Sequence, residues 1–386
     1  MNLLTEPLYA LAVLCVLVAF AEWLCRKRGF REIGSALVVI LAAAVLANIG
    51  LLPTSSNAPP LYDGIFNYVA PLAIFFLLLD VRLRDLRLAG LPMLLLFLLG
   101  SAGTIAGTVI GYHLVAPPAH GVDKAHAIAG MFTGTYIGGS VNLNAVALHY
   151  GVTKDGTLFA AINAADNVIT TIWIIATLLL PRLLNRWLPR APVAASASVT
   201  SALPSAATAL EAKESIDVLN LALLLALGTG SLLVSQLFSS FIPAVPAVLL
   251  LTTIALVLAQ LPAVQNLRGT KTLAYFSVLL FLAVIGAYCD LGALIANGRI
   301  AILLLVWVTL IVAIHAGLIF TVGGLLKQDW AMVSIASNAN IGGASSAGVL
   351  AAALGRDDLR LPGILVGSLG NAIGTYAGIA VAEWLG

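Results

Sequence analysis

The sequence predicts an all-α polytopic membrane protein built from two inverted repeats, each of five transmembrane helices and one re-entrant or broken helical hairpin. Composition, charge placement and an internal self-match each point to it. Of 386 residues, 61% are hydrophobic and 9% are charged, against about 25% charged in an average soluble domain. The apolar residues form runs of about 17 to 25, the length that crosses ~30 Å of hydrocarbon at ~1.5 Å rise per residue. Such a chain is made for lipid.

Hydropathy places helices over residues 7–25, 33–52, 62–80, 90–115 and 157–181, and again over 216–240, 244–261, 271–290, 299–325 and 361–385. The first is followed by Arg26-Lys27-Arg28 and has no basic region before it, the wrong polarity for a cleaved signal peptide. It reads as a retained helix. Two further apolar segments, 125–150 and 330–354, are interrupted at their centres by Gly138-Gly139 and Gly342-Gly343. Each arm has about 13 residues, or ~20 Å of helix, which passes the bilayer centre without crossing.

Charge decides how the interrupted segments are treated. If all twelve segments cross, the 19 Lys and Arg divide eleven against eight; if the interrupted pair dip in and return, the division becomes sixteen against three. Only Lys124, Lys154 and Arg299 are then outside, as the preference of basic residues for the cytoplasmic side requires. Re-entrant hairpins are therefore favoured, with both termini outside and the chain multi-pass in the cytoplasmic (inner) membrane. A crossing helix unwound at its middle is the alternative with the same chemistry.

The halves match at a constant offset of 204 residues: Ile137-Gly138-Gly139 falls on Ile341-Gly342-Gly343, Gly151 on Gly355, Asn167 on Asn371 and Thr171 on Thr375. Asp80 and Asp290 likewise end the third helix of each half. Five crossings per unit is an odd number, so the second copy enters from the opposite side, the pattern of secondary transporters. Repeat 1 spans 1–187, a cytoplasmic linker rich in Ala, Ser and Pro spans 188–215, and repeat 2 spans 216–386.

Backbone without helical hydrogen bonds is tolerated at membrane depth only where protein buries it or a wet cavity satisfies it. Both breaks are therefore expected to point inward together, helix N-termini toward an anion and free carbonyls toward a cation. The candidate substrate-binding residues are Thr135, Tyr136, Gly138, Gly139, Ser140 and Asn142 at the first break, and Asn338, Asn340, Gly342, Gly343, Ser345 and Ser346 at the second. The candidate ion-binding residues are Asn144, Asn163, Asp166, Asn167, Ser368 and Asn371. Small residues at breaks also serve close helix packing, but amides in lipid need partners. Asp166 is the deepest carboxylate, and a charge there is costly enough to be a site by default. Oxygen-rich, neutral walls suit Na+ as a coupling ion.

Other residues carry blander expectations. Cys15, Cys25 and Cys289 lack metal-ligand spacing and read as packing. His315 and His149 read as hydrogen-bonded packing residues. Trp23, Trp187, Trp330 and Trp384 suit interface anchoring. A net charge of +2 without a long basic run gives no nucleic-acid partner. Neither a nucleotide-binding Gly-rich loop, nor paired acids at hydrolase spacing, nor a convergent Ser-His-Asp set is present, so the chain is not expected to be an enzyme or to need a cofactor.

At GTYIGGSVNLNAVA, SNANIGGASSAGVLAAALG and LPGILVGSLGNAIGTYAG the chain resembles the YjcL-like membrane family of unknown function (DUF819). That family is distantly similar to the group of bile-acid sodium symporters and cation/proton antiporters. The resemblance implies an elevator-type core (90–181 and 299–385) moving against a scaffold (7–80 and 216–290), in a homodimer. The expected activity is Na+-coupled symport of a small organic solute, a carboxylate or amino-acid-like molecule. Alternatives are a proton-coupled exporter or antiporter, a pore, or a non-transporting membrane regulator.

Overall fold

The computed structural model describes residues 6–27, 35–54, 57–190, 217–242, 245–289 and 298–386. Each apolar segment forms helix within them, and no strand occurs among the described residues. The first half contains α1 (Pro7–Cys25), α2 (Ser35–Asn48), α3 (Pro60–Leu78), α4 (Leu91–Val115), α5 (Ala125–Gly138), α6 (Ser140–His149) and α7 (Gly156–Trp187). The second contains α8 (Val218–Phe241), α9 (Ala247–Leu258), α10 (Thr270–Ala287), α11 (Gly298–Leu325), α12 (Trp330–Ile341), α13 (Gly343–Ala353) and α14 (Asp357–Leu385). Eight of them, α1, α3, α4, α7, α8, α10, α11 and α14, are long and apolar enough to cross a bilayer.

Two predicted spans end earlier than expected, α2 at Asn48 and α9 at Leu258. Polar side chains fold back at their ends. The Asn48 amide donates to Ala44 O and Cys289 O, both at 2.8 Å, and the Gln260 amide donates to Leu256 O at 2.8 Å and Val81 O at 3.0 Å. Conversely α7 runs six residues past its predicted end at 181, carrying Pro181 inside it. Asp290 and most of the proposed linker lie outside the described residues, so only its first residues are seen.

Both interrupted segments fold back on themselves. In a straight helix residues eight apart lie ~12 Å apart, yet a Cβ on Gly134 would sit 3.1 Å from Asn142 Cβ, and Ser346 Oγ lies 3.5 Å from Asn338 O. The bases of the hairpins are closed by polar contacts. Lys124 Nζ donates to Tyr150 O at 2.8 Å, and Arg356 pairs with Asp329, whose carboxylate also accepts from Ala331 N at 3.0 Å. Hairpins, rather than crossing helices unwound at the middle, are thus what the chain builds.

α14 carries both hairpins. Its C-terminal half runs antiparallel to α5, pairing Gly370, Gly374 and Gly378 with Gly138, Gly134 and Gly130. A Cβ on Gly370 would overlap Ile137 O, and one on Gly130 would meet Gly378 O at 2.5 Å. Its N-terminal half takes α13, where a Cβ on Gly367 would meet Ala344 Cα at 2.5 Å. The hairpins thus approach from opposite ends of α14 and meet at its middle.

Packing falls into two groups. Helices α1, α2, α3, α8, α9 and α10 pack on one another, while α4 to α7 pack with α11 to α14, most extensively as α5 on α14 and α4 on α11. Fewer contacts join the groups, chiefly α7 with α10, α3 with α6, and α9 with α14. One is a hydroxyl pair, Thr253 Oγ1 to Tyr376 at 2.7 Å.

Gly370→Ala should lower the unfolding temperature of the detergent-solubilised protein, by an overpacking cost of about 1–3 kcal/mol. Gly317→Ala, where a Cβ has open space on the same kind of helix, should cause no loss, because alanine is the better helix former. Equal melting of the two would sink the close-packing account.

Removing one partner of a buried pair leaves the other uncompensated and costs about 3–5 kcal/mol, against ~0–1 for an exposed pair. Arg356→Gln, facing a 6% exposed Asp329 side chain, should therefore destabilise far more than Lys271→Gln, whose partner Asp80 is 57% exposed. Chemical denaturation of the two variants provides the comparison.

Candidate functional site

A helix can reverse between two short arms only where one residue leaves helical space. Gly139 does so at φ +91° and Gly343 at φ +76°, values that side-chain-bearing residues rarely adopt. These two turns are neighbours: a Cβ on Gly139 would lie 4.0 Å from Gly343 Cα and 3.9 Å from Asn371 Oδ1. The hairpin tips therefore meet beside Asn371, at the midpoint of α14. Ser140 and Ser345, in the first turns of α6 and α13, are exposed there. Gly139, the cap of α6, offers no side-chain hydrogen bond; its carbonyl takes the Asn142 N–H at 3.0 Å, and the N–H groups of Ser140 and Val141 have no side-chain cap.

A second cluster lies deeper. The Asp166 carboxylate of α7 faces the hydroxyls of Tyr136 and Thr135 on α5. Asp166 is 5% exposed, its Oδ1 has no hydrogen-bond partner in the protein, and neither has the Tyr136 hydroxyl. Asn338 is fully buried with both amide atoms unpartnered, and its Oδ1 would lie 2.9 Å from a Cβ on Gly342. Thr133, Asn144 and Ser334 also leave buried oxygens unpaired. Buried polar atoms are normally hydrogen-bonded, and an unpaired one costs ~1–3 kcal/mol. Six such residues lie on the two hairpins and on α7, and their oxygens are of the kind that holds a hard cation. Among the described residues there is no group of three His, Cys, Asp or Glu placed for a transition metal.

The remaining candidates divide differently from their sequence grouping. Thr135 and Tyr136 stand with Asp166 rather than at the tips. Asn142 is engaged on both sides, accepting from Thr375 Oγ1 at 2.8 Å and donating to Gly370 O at 3.5 Å. The Asn340 amide pairs with Ser101 on α4 and reaches Phe97 O at 3.1 Å, away from the tips. Gly138 is covered by Gly370. Asn163, Asn167 and Ser368 bond back to Phe159 O, Asn163 O and Ile364 O one turn earlier. Ser346 bonds Gly343 O at 3.0 Å and so ties its own turn.

Sequence reading passed over the packing that holds this assembly. Trp173 Nε1 donates to Ser337 Oγ at 3.1 Å, Ser337 to His315 Nε2 at 2.8 Å, and His315 Nδ1 to Gly100 O at 2.8 Å. A carbonyl only accepts, which fixes the proton on Nδ1. Four helices, α7, α12, α11 and α4, are joined by that chain, and Thr104 adds hairpin 1 through Tyr136 O at 3.0 Å. His315 is thus the hydrogen-bonded packing residue expected, whereas His149 is exposed and meets Tyr150 edge-on. Trp330 is buried with its Nε1 on Leu188 O, not an interface anchor, because the end of α7 folds over it. Trp23, Trp187 and Trp384 are exposed.

The offset of 204 gives the asymmetry its meaning. Where α14 has Gly367, Gly370 and Gly374, α7 has Asn163, Asp166 and Thr170. Glycine lets α14 close on the hairpins, whereas on α7 Asn163 bonds back to Phe159 O and Asp166 keeps an oxygen without a partner.

The family described as "Protein of unknown function (DUF819)" matches residues 10–386. The chain belongs to the DUF819 family. It is similar to the uncharacterized membrane protein YjcL of Bacillus subtilis (strain 168), with 28% identity over 368 residues that cover 91% of this chain and 90% of that protein. As in that relative's description, it is a membrane protein, here with multiple apolar helices.

Asp166→Asn should raise the unfolding temperature measured without Na+, since an amide there costs less to bury than a carboxylate with an unpaired oxygen. A drop instead would make Asp166 a structural anchor.

Proposed function

We propose that the chain is a secondary active transporter, not an enzyme, that couples Na+ to the movement of a small organic solute, a carboxylate or amino-acid-like molecule. The single observation that carries this reading is the meeting of two hairpin tips, from opposite ends of α14, beside buried and unpartnered oxygens. In this reading the solute's negative group sits at the tips, near Ser140, Ser345, Asn338 and Asn371. Na+ sits among Asp166, Thr135 and Tyr136.

The opposed hairpins support two inverted repeats, and the sparse joint between the two helix groups supports an elevator. The core is 90–181 with 299–385, moving against 7–80 with 216–290, in a homodimer in the cytoplasmic membrane. A proton-coupled exporter is the second reading, favoured by one observation: Asp166 is a lone buried acid with an unpaired oxygen.

Na+ should stabilise the purified protein selectively over K+, by ~2.7 kcal/mol at a hundredfold excess over its dissociation constant, and Asp166→Asn should remove the effect. In proteoliposomes Asn371→Ala should cut solute flux more than Asn167→Ala, whose amide faces its own helix. Flux that follows pH and ignores Na+ would select the proton reading.

A further inference from the structure

Away from the tips, a cleft of about 550 Å³ opens between the two helix groups at the base of hairpin 1. This is the size of a small-ligand site. One wall comes from α3, α8 and α9 and is mostly apolar; the other, from the hairpin base, is basic. Lys124 and Lys154 line it together with His149, while Asn67 and Gln236 add amides from the opposite wall.

Three features make this a built site rather than a seam. First, no acid is among its lining residues, and Glu383 and Asp155 are held beside it by the Tyr150 hydroxyl at 2.6 Å and by Leu158 N at 2.9 Å. The Lys154 ammonium has no ion pair or side-chain hydrogen bond among the described residues. Second, Lys124 is held in place by the carbonyls of Tyr150 and Gly151 at 2.8 and 3.4 Å, which fix the ammonium without neutralising it. Third, Phe66 and Asn67 reach the cleft from a π-helical stretch, Ile65–Val69, inside α3. Such bulges are rare and frequently fall at functional positions.

We propose that this cleft binds an organic anion with an apolar body, its carboxylate between Lys124 and Lys154 and its hydrocarbon on Phe66, Leu232, Val248 and Leu251. Charge-assisted hydrogen bonds orient the head, and the dry wall takes the tail. An occupant touches both helix groups and so holds them together. That last consequence rests on the moving-core reading above; binding itself does not.

The test uses the full chain in nanodiscs of zwitterionic lipid, with octanoate as probe and calorimetry as readout. Octanoate should bind saturably, octanamide at least tenfold more weakly, and Lys124→Met or Lys154→Met should each weaken octanoate about tenfold. Leu251→Trp should fill the cleft and abolish binding, while Asp166→Asn should leave it unchanged. Palmitate binding with the same lysine dependence would assign the acid to the membrane, and octanoate alone to water. No saturable octanoate binding, equal binding of octanamide, or loss with Asp166→Asn would overturn the site. Should Leu251→Trp fail to fold, the lysine variants and octanamide decide. Octanoate that binds yet leaves proteoliposome flux unchanged would overturn only the moving core.

Discussion

The structure depends on backbone meeting backbone along α14. Without water to drive apolar surfaces together, membrane helices gain association energy from van der Waals contact and weak hydrogen bonds, and small residues permit both. Gly370, Gly374 and Gly378 let hairpin 1 lie flat on α14, and Gly367 does the same for hairpin 2. Side chains at those positions would lift both hairpins off the helix. Their tips would then no longer meet at Asn371.

That constraint also explains where the polar residues collect. A hairpin that ends inside the protein leaves helix termini unpaired, and Gly139 and Gly343 adopt the turn conformations that bring them together. Around these ends, Asp166, Tyr136, Asn338 and Ser334 keep buried oxygens or nitrogens without partners, a standing cost that stability alone would remove. Close by, the Trp173–Ser337–His315–Gly100 chain satisfies each of its members. The contrast separates groups that hold the frame from groups left open for a ligand.

The two halves use one plan for different ends. α14 is smooth where α7 carries Asn163, Asp166 and Thr170, so one half supplies the platform and the other the charge. The looser joint between the helix groups is lined at one end by a basic cleft. Membrane proteins keep unpaired charge only where it is useful or wet, and Lys154 satisfies that rule at the rim.

The sequence alone determined where the helices and the hairpin breaks fall, because span length and glycine pairs are local signals in an apolar chain. The span of α1 and the breaks at Gly139 and Gly343 stand as read. Tertiary structure decided which amides are free. Asn142, Asn340 and Ser346 are spent on Thr375, Ser101 and Gly343, partners that in the first two cases lie more than two hundred residues away. It also ended α2 at Asn48 and α9 at Leu258 and buried Trp330, and at each place a side chain bonds a distant carbonyl. Periodicity reports which residues an apolar helix contains; only packing reports which of their polar atoms are left without a partner.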